Sequence, residues 1–153
     1  MIPRVYIDTS VIGGCLDEEF REHSERLFAD FETERLRAVV SNITIAEILE
    51  APEQVRALLD RPALQKAQTV FLDEEAVSLA EAYIKERVVG EGNRVDAQHI
   101  AIATVQRVDI LVSWNFQHIV KWSRIRAFNS VNLKYGYPQL EIRSPQEVYY
   151  EER

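Results

Sequence analysis

Residues 4–14 read RVYIDTSVIGG, a β-branched and aromatic run that stops on a carboxylate and is followed by two hydroxyls and two glycines. The run RVYID has the composition of a strand buried on both faces. Asp8 therefore falls at a strand's carboxyl end, which is where a parallel α/β sheet binds its ligands. A terminal aspartate can equally be a helix cap or part of a turn, and Thr9 and Ser10 offer caps as well.

Outward from this stretch, strand-like and helix-like segments alternate. Residues 18–34 place Phe20, Leu27, Phe28 and Phe31 at helical spacing, and residues 36–42 (LRAVVSN) read as a strand. A helix over 44–60, broken at Pro52, is followed by a short strand over 67–73 and an amphipathic helix over 74–89. Residues 94–108 form a second, very apolar helix, and 109–114 (DILVSW) a strand. A short helix over 115–122, a last strand over 139–144 and a first helical turn over 145–150, with Pro145 at its start, complete the pattern. Strands separated by helices imply right-handed crossovers and a parallel sheet covered on both faces.

The 153 residues suffice for one domain, and 46% apolar against 28% charged residues, with no linker or repeat, predicts a single domain over 1–153. No signal-peptide order and no apolar run near the length of a membrane span are present, so a soluble cytoplasmic protein with no membrane partner is expected. Cys15 is the single cysteine, which excludes an intrachain disulfide and a thiolate metal cage and predicts a small buried residue. A net charge of -7 argues against polyanion binding, but residues 104–143 carry six basic against two acidic residues. That local excess, which includes Lys121, Arg124 and Arg126, is either a solvated face or a surface for substrate or partner.

Two further acids are out of pattern. Glu47 lies among Ile43, Ile45 and Ile48 after the second strand, and Asp96 opens a helix whose Ala97, Ile100, Ala101, Ile102 and Ala103 must be buried. Capping explains such an Asp96 as well as a site does. Three carboxylates meeting at one sheet edge would repel and raise one another's pKa, a conflict that a hard divalent cation resolves. Oxygen ligands without a His/Cys spacing point to Mg²⁺ or Mn²⁺ rather than zinc. His99 and His118 are read first as structural histidines and Trp114 and Trp122 first as packing residues, with a site role as the alternative.

The sequence resembles the PIN-domain ribonucleases, especially bacterial toxins of VapC type, over nearly its whole length. YIDTSV, ITIAEIL, RVDAQHIAIA and ILVSWNFQHI are similar to that family's four motifs, in order. The resemblance implies a three-layer α/β/α domain with a mainly parallel sheet, in which Asp8, Glu47 and Asp96 line a metal-dependent phosphodiesterase site. Asp8 and Asp96 are then the expected direct ligands, Glu47 a ligand or a residue orienting water, and Thr9, Ser113, Lys121, Arg124 and Arg126 substrate-positioning residues. The family usually has a fourth acid two residues after the last motif's hydroxyl; here Ser113 is followed there by Asn115, which can offer a metal only a neutral oxygen. Asp109 is no substitute, since it precedes the apolar strand at the opposite sheet edge. By the same resemblance the chain is expected to be an Mg²⁺-dependent (or Mn²⁺-dependent) endoribonuclease with an RNA substrate, a cognate antitoxin and a homodimeric state. The alternatives are a catalytically weak PIN-like domain that binds RNA or protein, and a phosphatase with Asp8 as nucleophile. A phosphatase of haloacid dehalogenase type would carry a second aspartate where Ser10 stands.

Overall fold

The central strand β1 (Arg4–Ile7) is flanked on one side by β2 (Arg37–Ser41) and then β3 (Gln68–Val70). On its other side lie β4 (Ile110–Val112) and β5 (Ile142–Arg143), and every neighbouring pair is parallel. These features are those of a computed structural model that describes residues 1–148. The sheet order is thus 3-2-1-4-5, all parallel as the alternation of segments predicts.

Side-chain alternation assigns each helix to a face. Val5 and Ile7 of β1, Ala38 and Val40 of β2 and Val112 of β4 share a core with α1 (Thr9–Gly14), α2 (Arg21–Glu32), α3 (Asn42–Leu49) and α5 (Pro62–Gln65). Between α3 and α5 the chain forms α4 (Glu53–Arg56) and a 3-10 turn over Ala57–Asp60. Tyr6, Val39 and Leu111 point the other way, into a core with α6 (Glu74–Lys85), α7 (Arg94–Val105) and α8 (Trp122–Lys134). The connections leaving β1 and β4 therefore go to opposite faces, and a crevice opens between the carboxyl ends of these adjacent strands. The register Ile7↔Val112 sets Asp8 beside Ser113 at the mouth of that crevice.

Several segments differ from the sequence-based expectations. Residues 9–14, to which the sequence reading assigns no element, form a short helix, and Asp8 caps it by accepting a hydrogen bond from Val11 N, one of the alternatives read for that residue. Gly14 belongs there: a Cβ would come within 2.5 Å of Ser24 Oγ and 2.8 Å of Trp114 Nε1. The short helix expected over 115–122 is a series of turns. The 13-residue helix α8 is not expected from the sequence, since its buried face includes Asn132 beside Phe128 and Val131 and so breaks the apolar period. Asn132 is accommodated by hydrogen bonds with the Tyr83 hydroxyl and Thr104 Oγ1. The turn expected over 145–150 is a 3-10 turn at Pro145–Glu147, and residues 149–150 lie outside the described residues.

Leu27, Phe28 and Phe31 of α2 are buried in this chain's own core. Cys15 is buried as expected, and burial pushes its thiol up to about 12, so it stays protonated and unreactive. Both sheet edges are short, and at β5 the Arg143 guanidinium folds back to donate to the Ile142 carbonyl oxygen. No helix among the described residues is long and apolar enough to cross a membrane.

Candidate active site

Asp8 caps α1 and also stands at the mouth of the crevice, so its capping role does not exclude a role in a site. Only 5% exposed, it accepts from Ser10 Oγ at 2.6 Å and Val11 N at 3.3 Å through Oδ1, and from Ser113 Oγ at 2.5 Å through Oδ2. Three donors occupy most of the roughly four lone-pair directions of a carboxylate and fix its plane. Ser10 Oγ also accepts from Trp114 N at 2.9 Å, and Ser113 Oγ from Asn115 N at 3.0 Å. The hydroxyl pair thus bolts the end of β4 to the start of α1. In sequence Ser10 reads only as a cap, and the hydroxyl run beside Asp8 is the signal that it does more.

Asp96 stands in the first turn of α7 without capping it: the cap position is Asn93, and the Asp96 carboxylate accepts instead from Asn115 Nδ2 at 3.4 Å. Desolvation pushes the Asp96 carboxyl above its ordinary range; His99 and His118 oppose the shift, and the charges of Asp8 and Glu47 add to it. Asp96 therefore feels the charges of Asp8 and Glu47, which come from two other segments of the chain.

Glu47 is more exposed and is held from two sides. Its Oε1 accepts from Thr9 Oγ1 at 3.1 Å and lies 3.3 Å from His99 Nε2. The His99 hydrogen bond holds this carboxyl below its ordinary range, against the opposing effect of desolvation. His99 is 3% exposed, and its Nδ1 lies 2.7 Å from the Tyr6 hydroxyl, which donates to Ser41 Oγ at 2.8 Å. A buried polar chain therefore runs from Glu47 through the sheet interior to the Ser41 cap of α3. His99 is the structural histidine expected, yet it also touches the site; Tyr6 gives no sign of this in sequence, where it reads as one more apolar strand residue.

Two expectations need correction. Asn115 does not present its oxygen to the crevice: Oδ1 accepts from His118 N at 2.9 Å and Gln117 N at 3.2 Å, and the amide nitrogen faces Asp96. Turning the amide over would set Nδ2 against two N–H donors, so the network itself fixes the orientation. In this arrangement Asn115 donates to Asp96 and its oxygen is already engaged by backbone N–H groups. The cage of three carboxylates is also not formed, because Glu47 is drawn toward Thr9 and His99. Among the described residues, no three His, Cys, Asp or Glu side chains are grouped closely enough to hold an ion together. What remains suits Mg²⁺ in another way, since that ion keeps several waters and uses one or two carboxylates. Asp8 and Asp96 have that chemistry.

The basic cluster is divided. Arg124 donates to the Val88 carbonyl oxygen and lines a recess with Ile84 and Gly90. Arg126 lies over the Trp122 ring, 4.9 Å from its centroid, on the α8–β5 groove that Arg143 also lines. Lys121 is exposed at the start of α8. Trp122 is 73% exposed, whereas Trp114 is buried, donates to Ser24 Oγ and stacks on Phe20 with centroids 4.2 Å apart.

No protein-family model matches the sequence, and no curated protein matches it. Solved structures do. FitAcB from Neisseria gonorrhoeae aligns with 94% of this chain and 99% of its own at a TM-score of 0.60 and 16% identity. VapBC2 from Rickettsia felis, bound to a DNA fragment from its promoter, aligns with 92% of this chain and 98% of its own at a TM-score of 0.58 and 13% identity. VapC20 from Mycobacterium tuberculosis, described as a sarcin-ricin loop cleaving toxin, aligns with 74% of this chain and 92% of its own at a TM-score of 0.57 and 15% identity. The fold is PIN-like. In this PIN-like frame the acids gather at the switch point of the sheet, where an open α/β architecture places its ligand.

Proposed function

We propose that this PIN-like chain is a divalent-cation-dependent endoribonuclease and the toxin of a toxin–antitoxin pair. The observation that carries the reading is the hydrogen-bonded chain at the carboxyl ends of β1 and β4 that links Asp8 through Ser113 and Asn115 to Asp96, with Glu47 held by Thr9, the residue next to Asp8. The toxin structures that share the fold support it.

In this reading Asp8, fixed by Ser10, Val11 and Ser113, is the rigid ligand, and Asp96 the second. Bound Mg²⁺ or Mn²⁺ would neutralise charge on a scissile phosphate and acidify a water. Glu47, held below its ordinary range by His99 and steadied by Thr9, would be placed to orient such a water and take up its proton. Lys121 and Arg126 are the exposed cations available to RNA phosphates, while Arg124 is committed to the Val88 carbonyl. An antitoxin and a second copy of the chain belong to the same proposal. The former is tested by co-purification with the product of an adjacent small reading frame, the latter by mass in solution.

The deciding experiment is cleavage of a panel of RNAs in Mg²⁺, Mn²⁺ and excess EDTA. Cleavage should need metal and vanish in Asp8→Asn and Asp96→Asn; undiminished cleavage in EDTA would refute the mechanism. The turned-away Asn115 oxygen favours a second reading, a weak catalyst that chiefly binds. That reading predicts RNA binding without cleavage, and gain of cleavage in Asn115→Asp.

A further inference from the structure

A cavity of about 460 Å³ adjoins the carboxylate crevice and shares Ser10 and Asn115 with it. Its volume lies within the roughly 300–1,000 Å³ of small-ligand sites. Phe20, half-buried and stacked on the buried Trp114, contributes the apolar lining, and Gly13 and Gly14 add no side chain to it. Gly14 cannot carry a side chain without striking Trp114, so it keeps helix and indole in close contact. Gly13 opens onto empty space, with nothing within 4 Å of the position a Cβ would take.

Asp17 supplies the cavity's one charge. Its carbonyl oxygen accepts from Phe20 N and Arg21 N, and its Oδ1 accepts from Glu19 N at 2.8 Å, so the side chain is anchored where the chain turns into α2. Oδ2 has no partner among the described residues. Flat apolar walls receive a base rather than a phosphate, and a carboxylate repels the backbone while accepting N–H donors.

We propose that this cavity is a nucleobase subsite for the nucleotide next to the scissile phosphate, and that Asp17 makes it select guanine. The inference rests on the RNA-cleaving function proposed for the carboxylate crevice. Guanine alone presents two adjacent donors, N1–H and N2–H₂, on its Watson–Crick edge, matching the two oxygens of a carboxylate. Adenine and cytosine set a ring lone pair against the second oxygen, and uracil sets carbonyls there. Ser10 and Asn115, which line the cavity, donate to Asp8 and Asp96 respectively, so a base held here would lie next to the carboxylates.

The test uses the full chain and two readouts. First, 5′-GMP and 5′-AMP are titrated without metal against tryptophan fluorescence in a Trp122→Phe background, which leaves Trp114 as the only indole. GMP should bind about tenfold more tightly than AMP, the scale of one bidentate base contact. Asp17→Asn should erase the difference, and Gly13→Leu, which fills the cavity, should abolish binding of both with the melting temperature retained. Second, kcat/KM is measured on short single-stranded RNAs with a single guanosine replaced in turn by inosine, which lacks the N2 amino group, and by adenosine. Equal binding of GMP and AMP, or a guanine preference that survives both variants, overturns the subsite. Absence of cleavage with intact GMP selectivity overturns the nuclease reading alone.

Discussion

Two aspartates stand at opposite ends of the same pair of strands. Asp109 precedes β4, where its Oδ2 accepts from Arg4 N at 2.7 Å while its own N–H donates to the Arg4 carbonyl at 3.0 Å. It fastens the strand start, and the Arg4 guanidinium continues to Gln68 and to the Gln106 carbonyl. Asp8 follows β1 at the other end, buried, with Ser113 opposite, and its charge and that of Glu47 both reach Asp96. Both are strand-end carboxylates held by backbone N–H groups. The difference lies in company: one end of the sheet spends its acid on backbone, the other concentrates acids that partly lack counter-charge. Residue type and strand-end position do not distinguish the two; the switch point of the sheet and the neighbouring acids do.

The contrast is broken most severely by exchanging the acids for amides. Asp8→Asn should abolish cleavage, whereas Asp109→Asn should leave kcat/KM unchanged and lower stability by about 1 kcal/mol through one weakened backbone bond. RNA cleavage assays and urea melts on both variants check this; similar losses of activity would show that the two edges are not functionally distinct.

Metal linkage sharpens the same contrast. At a hundredfold excess over Kd, Mn²⁺ should stabilise the wild type by about 2.7 kcal/mol. The shift should disappear in Asp8→Asn and persist in Asp109→Asn, which thermal unfolding with and without the ion will show. A smaller effect is expected at the edge of the site. Asn115→Asp removes a donor to Asp96 and adds a charge, so metal-free stability should fall and Mn²⁺ affinity rise, with Asn115→Ala as control. Calorimetry giving one Mn²⁺ affinity for all three proteins would place residue 115 outside the metal's influence.

The subtlest break is in pH. Glu47, lowered from 4.5, contributes stability above that unfolded value and loses it as pH falls through its lower folded value, so Glu47→Gln should flatten the acid limb of the stability curve. Asp96, raised from 3.8, has the opposite sign: its contribution is complete below that value and is lost as pH rises through its folded value. Metal-free Asp96→Asn should therefore gain stability relative to wild type near neutral pH. Denaturant melts across pH 3–7 on both variants separate the two signs.

The layered fold and the three acids are legible in the sequence because both leave local marks: strands as unbroken apolar runs, acids as interruptions of apolar helices. The helix α8 is not, since a buried asparagine satisfied by Tyr83 and Thr104 looks like a polar interruption until those partners are in place. Helix α1 is six residues with two glycines, too short to show a period, and its start depends on the Asp8 side chain. The orientation of the Asn115 amide is equally out of reach. It is decided jointly by Asp96, which accepts from the amide nitrogen, and the N–H groups of residues 117 and 118, which donate to the amide oxygen, an arrangement that no spacing in the sequence reveals.

The ends of the sheet order carry a further consequence. With β3 three residues long, β5 two, and Arg143 seated on the carbonyl that β5 would offer outward, neither edge is a template for another strand. Continuous edge-to-edge stacking of copies is thereby discouraged even at high local concentration. β-augmentation therefore has almost no backbone ladder to extend at either edge.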